Sequence, residues 1–259
     1  MLKIGVFDSG LGGLTVVQAI SKVIKGAELF YIADTKNAPY GEKSTAQILQ
    51  YSLNLIQYFI DKHQIDALVI ACNTATSAAI KILREKYPEL IIIGTEPAIK
   101  PAIEQTKTAK IGVLATPATL RGDKYQLLVE KLSNRKEVEL FEQACPGLVE
   151  HIENGTLENE ESKILLKSWL SPMQHANVDT IVLGCTHYPL ASKMIKELMQ
   201  KDIVLLDSSR AIAHRLLTLL LEIGHKNEGK LYSKFYTTGN IDKKFVESLV
   251  SNPIEPIVL

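Results

Sequence analysis

An internal repeat constrains this chain more than any other feature. The segment Lys3-Ile4-Gly5-Val6-Phe7-Asp8-Ser9 resembles Lys110-Ile111-Gly112-Val113-Leu114-Ala115-Thr116. A second pair is closer: Asp66-Ala67-Leu68-Val69-Ile70-Ala71-Cys72-Asn73-Thr74 resembles Asp179-Thr180-Ile181-Val182-Leu183-Gly184-Cys185-Thr186-His187. The two matches run in the same order at offsets of 107 and 113 residues, so the chain reads as two homologous halves. In both members of the second pair a cysteine stands six residues after an aspartate and one residue past an apolar run. Parallel sheets bind ligands outside the carboxyl ends of their strands. Cys72 and Cys185 are therefore predicted at equivalent strand tips, and halves that face each other would set the two thiols on opposite walls of one cleft.

Short Val- and Ile-rich runs alternate with longer amphipathic stretches, which predicts an α/β protein with mostly parallel sheets flanked by helices. Strands are expected near residues 2–7, 28–33, 67–71, 90–94, 110–115, 137–141, 179–184 and 203–206. Between Ser44 and Lys62, the residues Ile48, Tyr51, Leu55, Tyr58 and Phe59 recur at helical steps and mark one buried face. The expected architecture is two pseudo-symmetric α/β domains with the active site in the cleft between them. The chain beyond about residue 207 exceeds what the second half needs and is assigned back to the first domain. The expected division is residues 1–96 with 208–259, and residues 97–207.

A length of 259 residues, 46% of them hydrophobic, suffices for a buried core of this kind. Lys plus Arg and Asp plus Glu number 29 each, so no overall field draws the chain to nucleic acid or to an anionic membrane, and neither is expected as a partner. Asp8 and the glycines near it interrupt any secretory apolar stretch. The longest strongly apolar run, Leu216 to Ile223, is far shorter than the roughly 20 residues of a membrane span. A cytoplasmic protein is expected, and three widely spaced cysteines then read as free thiols rather than as a disulfide framework.

Free cysteine is often just a small buried hydrophobe. Against that reading, Cys72 and Cys185 share one place in a repeat, and each is followed by polar residues, Asn73-Thr74 and Thr186-His187. Cys145 has no counterpart in the repeat and is expected to be structural. A thiol near its ordinary pKa of about 8.5 needs help to act as a base at neutral pH. His187, two residues beyond Cys185, can exchange a proton with it; the plainer alternative is a satisfied surface histidine. Asp8 is predicted near Cys72 if the first and third strands are neighbours, either accepting a proton as a ligand binds or capping a helix.

The Gly10-Leu11-Gly12-Gly13 turn, with Thr15 and Asp34 beyond it, is a weak dinucleotide match, because Asp8 would stand where a pyrophosphate must lie. The turn is expected to offer backbone N–H groups to a small carboxylate ligand instead. Pro39-Tyr40-Gly41 and Thr116-Pro117-Ala118-Thr119 join turn formers to hydroxyl donors, which suits carboxylate and ammonium recognition or, equally, helix capping. Cys72, Cys185 and His187 are conceivable zinc ligands, yet no short Cys or His spacing supports a metal, and none is expected.

Five segments together resemble the glutamate racemase family of the aspartate/glutamate racemase superfamily. They are Gly5-Val6-Phe7-Asp8-Ser9-Gly10-Leu11-Gly12-Gly13, Pro39-Tyr40-Gly41, Ala71-Cys72-Asn73-Thr74-Ala75, Thr116-Pro117-Ala118-Thr119 and Gly184-Cys185-Thr186-His187-Tyr188-Pro189, and they span most of the chain. The resemblance implies a pseudo-symmetric two-domain α/β fold that interconverts L- and D-glutamate without pyridoxal phosphate or metal, supplying D-glutamate for peptidoglycan. It implies that Cys72 serves the D-enantiomer and Cys185 the L-enantiomer, with Asp8 and His187 as their partners. It also implies a supporting acid after Ala144-Cys145-Pro146, which points to Glu153, with Glu150 competing. The implied substrate contacts are Asp8, Ser9, Pro39, Tyr40, Gly41, Cys72, Asn73, Thr74, Thr116, Thr119, Cys185, Thr186 and His187. The chain departs from the family at Arg121-Gly122-Asp123-Lys124, where a serine is expected near position 122.

Two like acid/base groups on opposite sides of one carbon suit inversion of a stereocentre. Glutamate is the expected small-molecule partner, no cofactor is expected, and a homodimer is compatible with the sequence. Three other readings share these residues. One is an aspartate racemase with a pocket of different depth. Another is a cysteine hydrolase with Cys185 as nucleophile and His187 as base, which has no use for Cys72. The third is a sensor that binds an amino acid without turning it over.

Overall fold

The computed structural model describes residues 1–133, 137–200, 202–250 and 253–259. Its strands are β1 (Leu2–Asp8), β2 (Ala27–Ala33), β3 (Ala67–Ile70), β4 (Ile91–Gly94), β5 (Lys110–Ala115), β6 (Glu139–Ala144), β7 (Thr180–Gly184), β8 (Val204–Leu206), β9 (Tyr232–Thr237) and β10 (Ile254–Pro256). Its helices are α1 (Leu14–Val23), α2 (Thr45–Tyr58), α3 (Asn73–Lys86), α4 (Ile99–Gln105), α5 (Pro117–Arg121), α6 (Asp123–Ser133), α7 (Leu148–Glu153), α8 (Glu160–His175), α9 (Ser192–Met199), α10 (Ser209–Glu222) and α11 (Lys243–Leu249). The chain divides into two compact units, Met1–Thr95 with Ser209–Leu259, and Glu96–Ser208. No helix among the described residues is long and apolar enough to cross a membrane.

The first unit holds a six-stranded sheet in the order β10-β9-β2-β1-β3-β4, with parallel pairing throughout. Its central strands are covered on both faces, which is why Ile4 to Phe7 and Ala67 to Ile70 read as runs of small and apolar residues instead of alternating. Ile4, Val6, Leu29, Tyr31 and Val69 pack with residues of α1 and α10. Phe7, Phe30, Ile32, Leu68 and Ile70 pack with residues of α2 and α3. Each large aliphatic side chain so buried contributes about 1.5–3 kcal/mol by leaving water. Helix α2 and the helical turn that continues it carry the expected stripe, with Ile48, Leu55 and, just past the helix, Phe59 buried and Tyr51 and Tyr58 half-buried. It opens on a capping box between Ser44 and Gln47.

Strands β9 and β10 escape the sequence reading for a physical reason. Tyr232-Ser233-Lys234-Phe235-Tyr236-Thr237 buries only its second half, so it shows no apolar run, yet it pairs along the whole of Glu28–Ala33 in β2. Ile254-Glu255-Pro256 is a short, largely exposed edge strand.

The second unit holds four parallel strands in the order β6-β5-β7-β8. Writing β5 to β8 in place of β1 to β4 reproduces the β2-β1-β3-β4 order of the first sheet. The registers coincide too. Ile4 faces Ala67 and Val6 faces Val69 across β1 and β3; Ile111 faces Thr180 and Val113 faces Val182 across β5 and β7, which are the pairs that the repeat aligns. A slip of one residue would turn every inward side chain outward, so this agreement fixes the same residues at the same strand tips. Strand β6 lies at Glu139–Ala144 rather than at 137–141, because it is a half-exposed edge strand whose position is set by pairing with Lys110–Ala115 and not by its own mixed composition.

The aspartates that open the second repeat pair anchor the far ends of these strands. Asp66 Oδ2 accepts the Lys3 N–H at 2.8 Å. Asp179 accepts the N–H groups of Lys107 and Thr108 at 2.7 and 2.9 Å and the hydroxyls of Thr106 and Thr180 at 2.7 and 3.0 Å. Desolvation alone would raise its pKa, but these hydrogen bonds outweigh it and hold the carboxyl at about 2.

Candidate active site

In the first unit, the Ala71 N–H donates to Phe7 O at 2.8 Å and extends the β1–β3 ladder one step past Ile70. Cys72 comes next and caps α3. Its sulfur accepts the Ala75 N–H at 3.4 Å and lies 3.5 Å from Ser9 Oγ. The start of this 14-residue helix favours negative charge at that sulfur. Asp8 ends the neighbouring strand β1 and is fully buried, and its Oδ2 accepts the Gly13 N–H at 2.6 Å. The expectation that the glycine turn offers its N–H groups to an incoming carboxylate is thereby corrected at Gly13, where the carboxylate is Asp8's own. A Cβ on Gly13 would fall 2.6 Å from Asp8 Cβ and 3.0 Å from the Tyr31 ring, so only glycine lets Asp8 approach this closely. Tyr31 in β2 props the turn further by donating its hydroxyl to Gly10 O at 2.7 Å.

Asn73 and Thr74 are buried in the first turn of α3, and the Asn73 side-chain oxygen makes no hydrogen bond among the described residues. Tyr40 departs from its expected use. Its hydroxyl donates to Asp34 Oδ2 at 2.5 Å, and Asp34 also accepts the Asn37 amide at 3.0 Å and the Thr238 hydroxyl at 2.6 Å. Burial, then the charge and hydrogen bond of Asp34, hold the Tyr40 phenol protonated far above its ordinary pKa. That hydroxyl donates inside the protein, and Pro39 and Gly41 on either side of it are half-buried.

In the second unit, Cys185 follows β7 by one residue, at the position the repeat pairs with Cys72. Its sulfur lies 3.7 Å from His187 Nδ1, and His187 Nε2 lies 2.6 Å from Glu153 Oε1 at the end of α7. His187 is 2% exposed, which overturns the surface-histidine alternative. Desolvation, the largest influence, disfavours the imidazolium, but hydrogen bonds and charge from Cys185 and Glu153 together outweigh it and hold His187 well above its ordinary pKa. The Thr186 hydroxyl lies 3.5 Å from the same Nδ1.

Thr116 caps α5, accepting the Thr119 N–H at 3.2 Å and donating to the Thr119 hydroxyl at 2.9 Å. Where the family pattern breaks, Gly122 separates α5 from α6 and Lys124 pairs with Glu96 at 2.8 Å. Cys145 is a buried thiol whose pKa is pushed up, first by burial and then by the nearby Cys185. Among the described residues no three of His, Cys, Asp and Glu gather as a metal site. The supports that the sequence gives no hint of are Tyr31 and Thr238, whose only linear signal is a polar atom inside or just beyond an apolar strand, while Asp34, met in the sequence as part of the weak dinucleotide match, holds Tyr40 and Thr238 instead.

The model of the Asp/Glu/hydantoin racemase family matches residues 4–216. The glutamate racemase of Sulfurovum sp. (strain NBC37-1) is 62% identical over 96% of this chain and 94% of its own length. Among solved structures, glutamate racemase isoform RacE1 from Bacillus anthracis aligns with a TM-score of 0.87 at 30% identity, over 100% of this chain and 97% of that one. Glutamate racemase from Francisella tularensis subsp. tularensis SCHU S4, in complex with D-glutamate, aligns at 0.83 and 29% identity over the same shares. A family match over most of its length, on a repeat that carries a buried thiol at each matching strand tip, means that this chain belongs to the Asp/Glu/hydantoin racemase family.

Proposed function

We propose that this chain interconverts L- and D-glutamate without a cofactor, using Cys72 and Cys185 as its two acid/base thiols. The observation that carries the reading is the shared ladder register, which gives each thiol the same strand-tip position while each keeps its own proton-handling neighbours. The identity with a relative named glutamate racemase, and the D-glutamate held by the Francisella protein, support glutamate as the substrate.

From L-glutamate, the Cys185 thiolate takes the α-proton: the C–H bond breaks, an S–H bond forms, and the electron pair left on the α-carbon spreads into the carboxylate. The Cys72 thiol then gives its proton to the opposite face, leaving a thiolate at Cys72. D-glutamate runs the same steps in reverse. An imidazolium at His187, kept charged by Glu153, stabilises negative charge on Cys185, and the Ala75 N–H with the start of α3 does so at Cys72. Ser9 stands beside the first thiol, Asp8 ends the strand paired with the one that leads to it, and the Asn73 oxygen, without a partner among the described residues, suits the substrate ammonium. The product would serve peptidoglycan synthesis in the cytoplasm.

The test is L-glutamate with the purified protein in D₂O and no added pyridoxal phosphate, following optical activity and α-deuterium together. Rotation should fall to zero, and each D-glutamate formed should carry deuterium. An L-glutamate that keeps both its rotation and its α-hydrogen would end the reading, and faster turnover of L-aspartate would reassign the substrate.

A further inference from the structure

We propose that Tyr188 is a positioning residue for proton transfer at Cys185, its hydroxyl tying the segment that carries Cys185 and His187 to the one that delivers Glu153. The inference rests on the racemase reading above. The Cys185–His187–Glu153 chain draws on two separate pieces of backbone: Cys185 and His187 follow β7, whereas Glu153 lies 34 residues before His187. A 2.6 Å contact between groups so far apart in sequence persists only while the two backbones stay in register.

Tyr188 engages both. Its N–H donates to Cys185 O at 3.2 Å, at the start of the 3₁₀ turn Tyr188–Ala191. Its hydroxyl donates to Cys145 O at 3.3 Å. Cys145 is itself fastened to β5, its N–H donating to Ala115 O at 3.0 Å. Pro146 and Gly147 then lead directly into α7, with Gly147 in the left-handed region at φ 80°. The phenol thus fixes the start of the helix whose last residue is Glu153. Tyr188 is completely buried, and burial, with Cys185, Cys145 and Glu150 close by, keeps it protonated. It therefore remains a donor across the working pH range.

Tyr188→Phe removes the tie while keeping the ring. Tyr125→Phe is its matched control, another buried phenol of the same unit that donates to Glu142 at 2.6 Å. Both variants should lose thermal stability. Only Tyr188→Phe should lower kcat, by about tenfold with KM held within about twofold, because a displaced acid/base group costs rate more than binding. Its alkaline limb of kcat/KM should move to lower pH as the Glu153 contact loosens. Gly147→Ala, which strains the same turn without altering Tyr188, should move that limb in the same direction and serves if Tyr188→Phe does not fold. Unchanged kcat and pH profile in the folded variants, or an equal kinetic loss in Tyr125→Phe, overturns the proposal. Titration of His187 by NMR separates the two readings. A wild-type chain that does not racemise glutamate ends the functional reading alone, whereas a His187 pKa that stays in place in Tyr188→Phe ends this one.

Discussion

Cys72 and Cys185 stand at matching strand tips, yet Cys72 meets a helix N-terminus and a serine hydroxyl, while Cys185 meets an imidazole backed by a carboxylate. The partners shown at Cys72 are a backbone N–H and a hydroxyl, neither of which titrates near neutrality. The second carries an imidazole, so the charge of His187 adds a pH dependence at Cys185. The difference teaches that a repeated ladder reproduces where a side chain stands, because register sets position, but leaves open what stands beside it. Those neighbours come from segments outside the matched strands, Ala75 from α3 in one unit and Glu153 from α7 in the other.

The sharpest way to break the comparison is to remove each thiol in turn. Cys72→Ala and Cys185→Ala should each lower full interconversion by at least about 10³-fold, the scale of a lost acid/base group. A cysteine hydrolase using only Cys185 would survive the first change, so chiral assay of both variants decides whether the two positions are functionally equivalent.

Glu153→Gln tests the Cys185 side alone and should cost about 10- to 100-fold in kcat. The folded pKa of His187 lies above its unfolded value, so its charge contributes stability that is fully present below about 6.5 and is lost as pH rises through the folded value. Removing the Glu153 charge lowers that folded value. Denaturation midpoints measured against pH should therefore fall by less above about 6.5, and level off at lower pH, in Glu153→Gln than in wild type, and a superimposable profile would mean that Glu153 does not hold the imidazolium.

Gly13→Ala acts on the Cys72 side, through Asp8. The added Cβ meets Asp8 at 2.6 Å, and relief by movement of the turn should cost about 1–3 kcal/mol in urea unfolding. The smallest effect is expected at the opposite ends of the strands. Asp179→Asn, discounted for solvent exposure, should cost about 1 kcal/mol, and Asp66→Asn, with one backbone partner, about half as much. The Asp179 contribution should be present above its unfolded pKa of about 3.9 and fade as pH falls toward about 2. Equal costs at the two aspartates would mean that the extra donors around Asp179 add nothing.

Much of this was legible in the linear chain, and the omissions have physical causes. The strands β1, β3, β5 and β7 are covered on both faces and announce themselves as runs without polar alternation. β9 does not, because half of it faces water and its pairing with β2 spans about two hundred residues of sequence. Both thiols and His187 were readable from spacing. That the Tyr40 hydroxyl is consumed by Asp34, and the Gly13 N–H by Asp8, was not, since a donor's partner is chosen by packing.

The sequence by itself determined that two cysteines occupy corresponding strand tips, because apolar runs, strand register and the repeat are properties of neighbouring residues and of a period that can be counted. Only the tertiary structure decided which groups face those sulfurs. Glu153 reaches His187, and Tyr31 reaches Gly10, across 34 and 21 residues of chain. Such contacts are set by how helices and strands pack, and no local pattern encodes them.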